Sequence, residues 1–221
     1  MPPRLPHAPP ERAARAPRRR LVLASANPGK LREFRALLDG LPFEVLSQSS
    51  LGVEAPEETA RTFLGNALIK ARHAAQLTGV AALADDSGLE VDALGGAPGV
   101  HSARFAGPAA SDAENNAKLL KVLEHVPPSA RTARYRCALV FLESATDPAP
   151  LVAEAAWEGL ILSAPRGAGG FGYDPYFWLP ELGQSAAELA PDHKNSLSHR
   201  GRALAQLRAA LCERAAPAGD S

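Results

Sequence analysis

Hydrophobic and polar residues follow one another along residues 20–213 in a pattern that predicts alternating strands and helices. Continuous apolar runs indicate buried strands, and apolar residues three or four positions apart indicate helices with one buried face. Strands are predicted at residues 20–25, 43–46, 80–84, 132–143 and 150–158, with another near 159–164, and helices at residues 28–39, 61–77, 112–124 and 200–213. This alternation predicts an α/β fold with a mixed sheet.

The segment after the first predicted strand has features of an anion-binding turn. Asn27 is the predicted N-cap of the helix that follows, and Pro28 suits the first helical position. A helix start attracts anions, and Lys30 adds a cation there. The segment is not a Walker A loop, because Ala24 stands where that motif needs glycine and Leu31 where it needs Ser or Thr. Phosphate binding and an ordinary helix start both remain open.

Residues 84–89 (ADDSGL) place two adjacent carboxylates directly after an apolar run. The strand is predicted to end here in a turn that contains Gly88, so that one carboxylate faces a cleft while the other anchors the turn. A carboxylate that lines a cleft is costly unless it is paired or bound to a metal, and Mg²⁺ is a hard cation that fits. The alternative is an Asp-rich turn whose side chains cap the local backbone.

A glycine-rich segment at residues 167–175 (GAGGFGYDP) is typical of a ligand-binding loop. Four glycines within six residues exclude a regular helix and allow close backbone approach to a ligand. Phe171 and Tyr173 suggest that a planar group stacks between two rings. A hairpin loop with both aromatic side chains folded into the core is the alternative.

Two further helix starts carry capping signals. Ser111 with Glu114 three residues later has the spacing of a capping box. Ser198 is predicted to cap the last helix, which places His199 and Arg200 in its first turn. Cations there oppose the helix dipole, which suggests an anionic or electron-rich partner. A solvated basic patch beside a cap is the alternative.

Taken together, these segments resemble the non-canonical purine nucleoside triphosphate pyrophosphatases, also called inosine triphosphate pyrophosphatases. The matching pieces occur in order between Leu21 and Leu211: Ser25-x-Asn27-x-x-Lys30, Glu58 ahead of Thr62-Phe63-x-x-Asn66-Ala67, residues 84–89, residues 94–100 (LGGAPGV) with Ser102-Ala103-Arg104, residues 169–175, and Ser198-His199-Arg200. Six pieces in the right order make the resemblance specific. The chain departs from the family pattern at Gly65, where glutamate is usual, and glycine is expected to weaken the local helix.

The resemblance implies an elongated sheet with two lobes around a central nucleotide-binding cleft, usually in a homodimer. It also implies hydrolysis of ITP, dITP and XTP to the monophosphate and pyrophosphate with Mg²⁺, which would cleanse the nucleotide pool. Asp86 and Glu58 match the metal-binding acids, and Asp86 also matches the catalytic acceptor of the water proton. Glu57 could replace Glu58, and Asp85 is expected to support the site. Lys70 could add charge, although an exposed helix lysine is the other interpretation.

The same resemblance implies which residues bind substrate. They are Ser25, Ala26, Asn27, Pro28, Gly29, Lys30, Ser87, Phe171, Gly172, Tyr173, Asp174, Lys194, His199 and Arg200. His199 and Arg200 would donate hydrogen bonds to the six-keto oxygen of hypoxanthine, where adenine carries an amino group. Phe171 would stack on the base, while Lys194 and Asp174 would hold its edge.

Two other functions fit parts of the sequence. A Maf-like nucleotide pyrophosphatase also begins with a strand, Ser-x-Ser-x-x-Arg and a helix, but Asn27 and Lys30 replace that pattern here. A non-catalytic nucleotide-binding or RNA-binding module could use the arginine-rich first residues and the aromatic loop. Such a module would not need Asp86 and Glu58, and these acids therefore favour an enzyme.

Composition predicts one domain at residues 20–213, with an Arg/Pro-rich arm at residues 1–19 and a tail at residues 214–221, both expected to be disordered. Hydrophobic residues make up 46% of the 221, which is ordinary for a globular protein. The first 20 residues hold six arginines against one glutamate, so the remainder carries 18 basic and 23 acidic residues. This mild negative charge argues against a nucleic-acid partner for the domain.

The first 20 residues also contain six prolines and no apolar run, so they are expected to be neither a signal peptide nor a membrane span. Cys137 and Cys212 are too few for a disulfide framework or a zinc site. Cys137 lies in a predicted strand and is expected to be a small buried hydrophobic residue. A cytoplasmic location follows as a prediction.

Overall fold

The computed structural model describes residues 18–25, 27–39 and 41–215. Its strands are β1 (Arg19–Leu23), β2 (Phe43–Ser47), β3 (Ala81–Val91), β4 (Thr132–Leu142), β5 (Leu151–Ile161), β6 (Phe177–Leu179) and β7 (Gln184–Ser185). Its α-helices are α1 (Pro28–Leu38), α2 (Phe63–Thr78), α3 (Asp112–Val122), α4 (Pro191–Leu197) and α5 (His199–Ala215). Most of the predicted arm and the end of the predicted tail lie outside the described residues, while β1 begins one residue before the predicted domain boundary.

The strands form one open sheet in the order β2-β1-β3-β4-β5-β6-β7. The neighbours β2, β1 and β3 run parallel, whereas every pairing from β3 to β7 is antiparallel. The predicted α/β fold with a mixed sheet is therefore confirmed. Two lobes around a cleft stay a prediction from the resemblance.

Helices cover both faces of the sheet. Apolar side chains of the central strands point alternately to the two faces, so each face needs a covering layer. On one face, Leu83 of β3 packs with Phe34 of α1 and Leu204 of α5. On the other face, Ala82 packs against a row of small residues on α2 that includes Ala71. Since neighbouring strand residues point to opposite sides, each central strand is buried on both faces.

The prediction that β3 ends in a turn at residues 84–89 is wrong. The strand runs on to Val91, and Asp85 and Asp86 lie opposite Leu139 and Ala138 of β4. The eleven residues of β4 offer β3 a full hydrogen-bonding partner, and this pairing outweighs the poor strand propensity of Asp and Gly. Gly88 serves close packing instead of a turn, because a Cβ built there would overlap the carbonyl oxygen of Gly99.

Several short elements escaped prediction because they are too short to show periodicity. β6 and β7 have three and two residues, and α4 has seven, with Pro191 at its first position. The strand predicted near 159–164 is not separate, since β5 continues to Ile161. Among the described residues, every helix is too short or too polar to span a membrane.

The predicted helix caps are confirmed. Ser111 and Glu114 form the reciprocal capping box at the start of α3. Ser198 Oγ accepts a hydrogen bond from the backbone N–H of Gly201 at 3.2 Å, which caps α5. His199 therefore begins α5, and this places it and Arg200 at the helix start that the sequence predicts.

Candidate active site

A cleft of about 290 Å³ opens beside the middle of β3. It is lined by the start of α1, by α2, by the 3₁₀ turn Gly99–Arg104, by the glycine-rich loop and by the first residues of α5. Twelve of the predicted site residues line it: Ser25, Asn27, Lys30, Glu58, Asp86, Ser87, Phe171, Gly172, Tyr173, Asp174, His199 and Arg200. Ala26 lies outside the described residues, and Pro28, Gly29 and Lys194 are not among the lining residues.

The cleft lies where the apolar core along β3 is interrupted. Leu83 and Leu89 are fully buried, but they belong to two separate apolar clusters. Asp85 and Ser87 lie between them on the same face of the strand. Polar side chains thus replace the core at one place, and the surrounding apolar clusters hold them rigidly.

Asp85 is a buried anion that anchors two cations. Its Oδ2 lies 2.8 Å from Lys30 Nζ and 3.6 Å from Arg200 Nε, and it accepts a hydrogen bond from Ser87 Oγ at 2.9 Å. Burial alone would raise the pKa of this carboxyl, but the charges of Lys30, Arg200 and Lys70 hold it well below its usual range. Asp85 is therefore ionised and holds Lys30 and Arg200 in place.

Asp86 points to the opposite face of the sheet, toward α2. Its Oδ1 accepts a hydrogen bond from Lys70 Nζ at 2.9 Å, and its Oδ2 accepts one from Asn66 Nδ2 at 3.2 Å. Burial raises the pKa of Asp86 in spite of the nearby Lys70 and Lys30. A carboxylate with raised proton affinity at a cleft surface is suited to accept a proton.

Lys70 joins the two acids of the predicted metal pair. It is 8% exposed, so the alternative of an exposed helix lysine is wrong. Its Nζ lies 3.0 Å from Glu58 Oε1 as well as 2.9 Å from Asp86 Oδ1, and Glu58 Oε2 pairs with Arg104 at 3.0 Å. Burial would raise the pKa of Glu58, but Lys70 and Arg104 lower it overall. Glu57, by contrast, is exposed to solvent.

Gly65 does not disturb this arrangement. Thr62 caps α2, and its Oγ1 accepts a hydrogen bond from the backbone N–H of Gly65 at 3.1 Å. The cap stabilises the first turn, where glycine would otherwise weaken the helix. Asn66 and Lys70 lie one and two helical turns after Thr62, and both donate a hydrogen bond to Asp86.

The side of the cleft formed by the glycine-rich loop is organised by Asp174. This carboxylate is 3% exposed, and its Oδ2 accepts hydrogen bonds from Lys194 Nζ at 2.7 Å and from the backbone N–H of Phe171 at 2.9 Å. Its Oδ1 accepts a hydrogen bond from the Tyr135 hydroxyl at 3.2 Å. Asp174 therefore ties the loop, β4 and α4 together.

The Phe171 ring bridges the loop and the helix starts. Lys194 Nζ lies 5.0 Å from the ring centroid and Arg200 Cζ lies 5.3 Å from it, which are cation–π distances. The ring rests on Gly29, where a built Cβ would lie 2.9 Å from Phe171 Cδ1. Gly29 and Lys194 thus both contact the Phe171 ring and help to fix its position.

His199 offers two free ring nitrogens next to the cleft. The ring is stacked on Tyr135 with centroids 4.8 Å apart, and neither nitrogen has a hydrogen-bond partner among the described residues. Burial, with the charges of Arg200 and Lys194, lowers the pKa of His199 well below its usual value. The neutral ring has one donor and one acceptor available for a ligand.

Sequence reasoning missed Glu33 and Tyr135. Glu33 accepts hydrogen bonds from Lys194 at 3.2 Å and from Arg200 at 2.6 Å, so one α1 carboxylate holds both cations. Its position three residues after Lys30 places both on one helix face, which is the available signal. For Tyr135, the sequence carries no signal beyond its place in a strand.

Glu58 and Asp86 are the residues around Lys70 whose chemistry fits a divalent cation. Glu58 and Asp86 direct one oxygen each at the same ammonium group, and two such carboxylates form a suitable donor set for a hard cation. Within the described ranges, no group of three or more His, Cys, Asp or Glu could hold a metal. A metal here would therefore depend on water and on oxygen atoms of a ligand.

Comparison with known proteins gives relatives over most of the chain. The family model described as the Ham1 family matches residues 21–210. The dITP/XTP pyrophosphatase of Methylococcus capsulatus is 57% identical over 194 residues, which are 88% of this chain and 96% of the relative. The protein of the same name from Yersinia pseudotuberculosis is 56% identical over 185 residues, 84% of this chain and 94% of the relative.

Solved structures agree with these relatives. The HAM1 protein from Coxiella burnetii has a TM-score of 0.82 at 50% sequence identity, with 88% of this chain and 99% of that chain covered. The Ham1 protein from Staphylococcus aureus has a TM-score of 0.79 at 36% identity, with 89% and 100% covered. Sequence and fold agree over nearly the whole length of these proteins, and the chain belongs to the Ham1 family.

Proposed function

We propose that this chain is a dITP/XTP pyrophosphatase, which hydrolyses dITP, ITP and XTP to the monophosphate and pyrophosphate. The curated relatives of that name are 52–57% identical and cover most of the chain. The observation that carries the proposal is one cleft lined both by an Asp86–Lys70–Glu58 group and by an aromatic side chain, Phe171. The charged group suits a triphosphate tail, and the aromatic side chain suits a purine base.

The triphosphate tail lies along the start of α1 and β3 in this proposal. Lys30 Nζ has three hydrogens, and its pair with Asp85 leaves donors for phosphate oxygens. Asn27 Oδ1 already accepts hydrogen bonds from the backbone N–H groups of Gly29 and Lys30 at 2.9 and 3.1 Å. The side chain of Lys30 therefore contributes more to phosphate binding than these two amides.

Hydrolysis requires a water molecule next to the α-phosphorus and a group that takes its proton. Asp86 is the proposed acceptor, because its carboxylate lines the cleft and Lys70 and Asn66 fix its direction. Mg²⁺, held by Asp86 and Glu58, would neutralise phosphate charge and orient phosphate oxygens. Lys70 then balances the carboxylate charge, and Arg104 fixes Glu58 from the other side.

The base lies against Phe171, near His199 and Arg200. Arg200 only donates hydrogen bonds, and neutral His199 can donate one, so both suit a six-keto oxygen. Adenine has an amino group at that position and would leave these donors unpaired in a buried site. In this proposal Lys194 and Asp174 act on the base indirectly, because they bind each other and Lys194 also binds Glu33.

A pyrophosphate-release assay tests the function directly. The purified chain with Mg²⁺ should release pyrophosphate from ITP, dITP and XTP much faster than from ATP or GTP, and omission of Mg²⁺ should abolish the release. Release of orthophosphate, or equal rates with all five nucleotides, would overturn the proposal. Nucleotide binding without hydrolysis would favour the non-catalytic module instead.

Further statements on assembly, location and domain bounds belong to this proposal. The chain forms a homodimer and has two lobes around the cleft, as the resemblance implies, and it binds no nucleic acid. It acts in the cytoplasm, in line with two free cysteines, Cys137 and Cys212, of which the second is exposed. One domain spans residues 20–213, and most of the predicted arm and tail lie outside the described residues.

A further inference from the structure

We propose that Asp112 and Asn116 of α3 are positioning residues for the base end of the cleft. They hold the backbone of Gly172 and thereby set the directions of Phe171 and Tyr173. This inference rests on the proposed function, because the base of the substrate is what Phe171 would contact. Neither Asp112 nor Asn116 belongs to any motif that the resemblance covers.

The two side chains bind the backbone N–H and the backbone carbonyl oxygen of Gly172, and these two bonds are called the grip on Gly172. The backbone N–H of Gly172 donates to Asp112 Oδ2 at 2.7 Å, and Asn116 Nδ2 donates to the carbonyl oxygen of Gly172 at 2.9 Å. The side chains are four residues apart on α3, so they project from the same helix face. One helix face thus fixes both ends of a single loop residue.

Gly172 is the residue at which such a grip has most effect. Its φ is +63°, in the left-handed region that glycine adopts readily, and a Cβ built there would meet no described atom within 4 Å. Without the two hydrogen bonds, the backbone at this point could rotate into other conformations. Because Phe171 and Tyr173 flank it, rotation at Gly172 would turn the two aromatic side chains relative to each other.

The helix that carries the grip is itself firmly held. Its start is closed by the Ser111–Glu114 capping box. Between the two gripping residues, Asn115 accepts a hydrogen bond from the Ala106 backbone N–H at 2.8 Å and donates one to the Ala103 carbonyl at 3.2 Å. α3 is therefore a fixed point from which a flexible loop can be positioned.

The remaining loop contacts do not replace this grip. The Tyr173 hydroxyl donates to the Ser102 carbonyl at 2.8 Å, and the Phe171 N–H donates to Asp174. One further bond reaches a peptide unit beside Gly172, from the Asp174 N–H to the Phe171 carbonyl oxygen at 3.3 Å, whereas the N–H and the carbonyl oxygen of Gly172 itself bond to Asp112 and Asn116. Asp112 also lines the cleft, whereas Asn116 is 7% exposed and its Oδ1 has no hydrogen-bond partner.

Kinetics with three variants test the inference. Asp112→Ala and Asn116→Ala should each raise KM for ITP about two- to tenfold, the effect of losing one ordinary hydrogen bond, with a smaller change in kcat. Asp112→Asn keeps an oxygen acceptor and should restore KM to near wild type. Inhibition by inorganic tripolyphosphate, which has no base, should be unchanged in all three variants.

Glu114→Ala is the matched control. It removes the capping box and weakens the start of the same helix, yet it has no contact with Gly172. It should lower the melting temperature and leave KM for ITP near wild type. An equal rise of KM in Glu114→Ala and Asp112→Ala would show that loosening α3 is sufficient, and would overturn the positioning role.

Combination with Phe171→Ala shows whether the effect passes through the ring. If Asp112 and Asn116 act by aiming Phe171, adding Asp112→Ala to Phe171→Ala should change KM little. Full additivity of the two effects would overturn the inference.

Hydrogen exchange separates this inference from the proposed function. In the absence of any nucleotide, amide exchange in residues 167–174 should accelerate in Asp112→Ala and Asn116→Ala but not in Glu114→Ala. Unchanged exchange in the first two variants would contradict the claim that Asp112 and Asn116 hold the backbone of Gly172. If the variants show this exchange pattern but the wild-type protein does not hydrolyse ITP, the proposed function is contradicted. The role of Asp112 and Asn116 in holding Gly172 is then still supported.

Discussion

At the scale of single residues, Asp85 and Asp86 show how one strand gives neighbouring acids opposite properties. The pKa of Asp85 is lowered because Lys30 and Arg200 face it, whereas burial raises the pKa of Asp86. The cause is geometric, since successive strand residues point to opposite faces of the sheet. One acid is therefore suited to hold charges in place and the other to take a proton.

Asp86→Asn should abolish most activity without loss of the fold. Asn has the same shape and keeps a polar contact with Asn66, but it cannot accept a proton, so kcat for ITP should fall by about two or more orders of magnitude. Steady-state kinetics with thermal melting measure both effects. Asp92→Asn, at an exposed carboxylate just beyond the same strand, is the control and should retain activity. A folded Asp86→Asn protein with near-wild-type turnover would refute the assigned role.

Asp85→Asn should mainly reduce stability. The substitution removes the buried counter-charge of Lys30 and one of the two carboxylates that face Arg200, and breaking a buried ion pair costs about 3–5 kcal/mol. The pKa of Asp85 is lower in the folded state, so its stabilising effect is complete above the unfolded pKa of about 4 and is lost as the pH falls below it. Urea unfolding at several pH values should show a gap between wild type and variant that narrows in acid. A gap that does not depend on pH would contradict this account.

Arg200→Ala should reduce the preference for inosine over adenosine nucleotides. Removal of a donor from a buried site costs the substrate that uses it about ten- to a hundredfold in kcat/KM, while ATP has no such bond to lose. The ratio of kcat/KM for ITP and ATP measures the effect. Arg202→Ala, an exposed arginine of the same helix, should leave the ratio unchanged. Equal losses for both substrates would assign Arg200 a structural or phosphate-binding role.

At the scale of elements, the close crossing of α4 and α5 sets the position of the cationic residues. Gly201 makes the crossing possible, because a Cβ there would overlap the carbonyl oxygen of Asn195. Lys194 lies before the crossing and Arg200 next to it, and both reach Glu33 of α1. The crossing therefore determines whether one carboxylate can hold both cations.

Gly201→Ala should destabilise the protein and weaken substrate binding together. Alanine favours a helix by about 1 kcal/mol relative to glycine, but overpacking against a backbone oxygen costs about 1–3 kcal/mol, and here the backbone cannot move freely. We expect a lower melting temperature and a higher KM for ITP. Gln206→Ala on the exposed side of α5 should change neither. A higher melting temperature for Gly201→Ala would show that the crossing can relax.

Elements also show which predictions a sequence supports. The caps at Asn27, Ser111 and Ser198 follow from local chemistry, and all three are present. The extent of β3 could not be predicted, because its pairing with β4 overrides local preferences at Asp85 and Asp86.

The same distinction applies to the site. The motif residues that line the cleft were predicted from their resemblance to a family. Glu33 was not predicted, because its role depends on contacts with Lys194 and Arg200, which lie more than 160 residues away in the chain. Tyr135 and Asp112 were missed for the same reason, since their partners Asp174 and Gly172 are equally invisible in local sequence.

At the scale of the whole molecule, the first residues should be dispensable. Deletion of residues 1–17 removes a Pro/Arg-rich segment without an apolar run and leaves β1 intact, because that strand begins at Arg19. Melting temperature and kcat/KM for ITP should both stay close to wild type. A folded deletion variant with greatly reduced activity would show that these residues complete the site or an assembly.

The ion pairs of the cleft affect how the molecule meets its ligands from a distance. Five cations and five carboxylates of the described residues pair with one another there: Lys30, Lys70, Arg104, Lys194 and Arg200 with Glu33, Glu58, Asp85, Asp86 and Asp174. Their charges cancel, so this group projects little net field into solvent and does not steer polyanions by long-range attraction. ATP and ITP therefore both arrive by unaided diffusion, and the choice between them is made after contact.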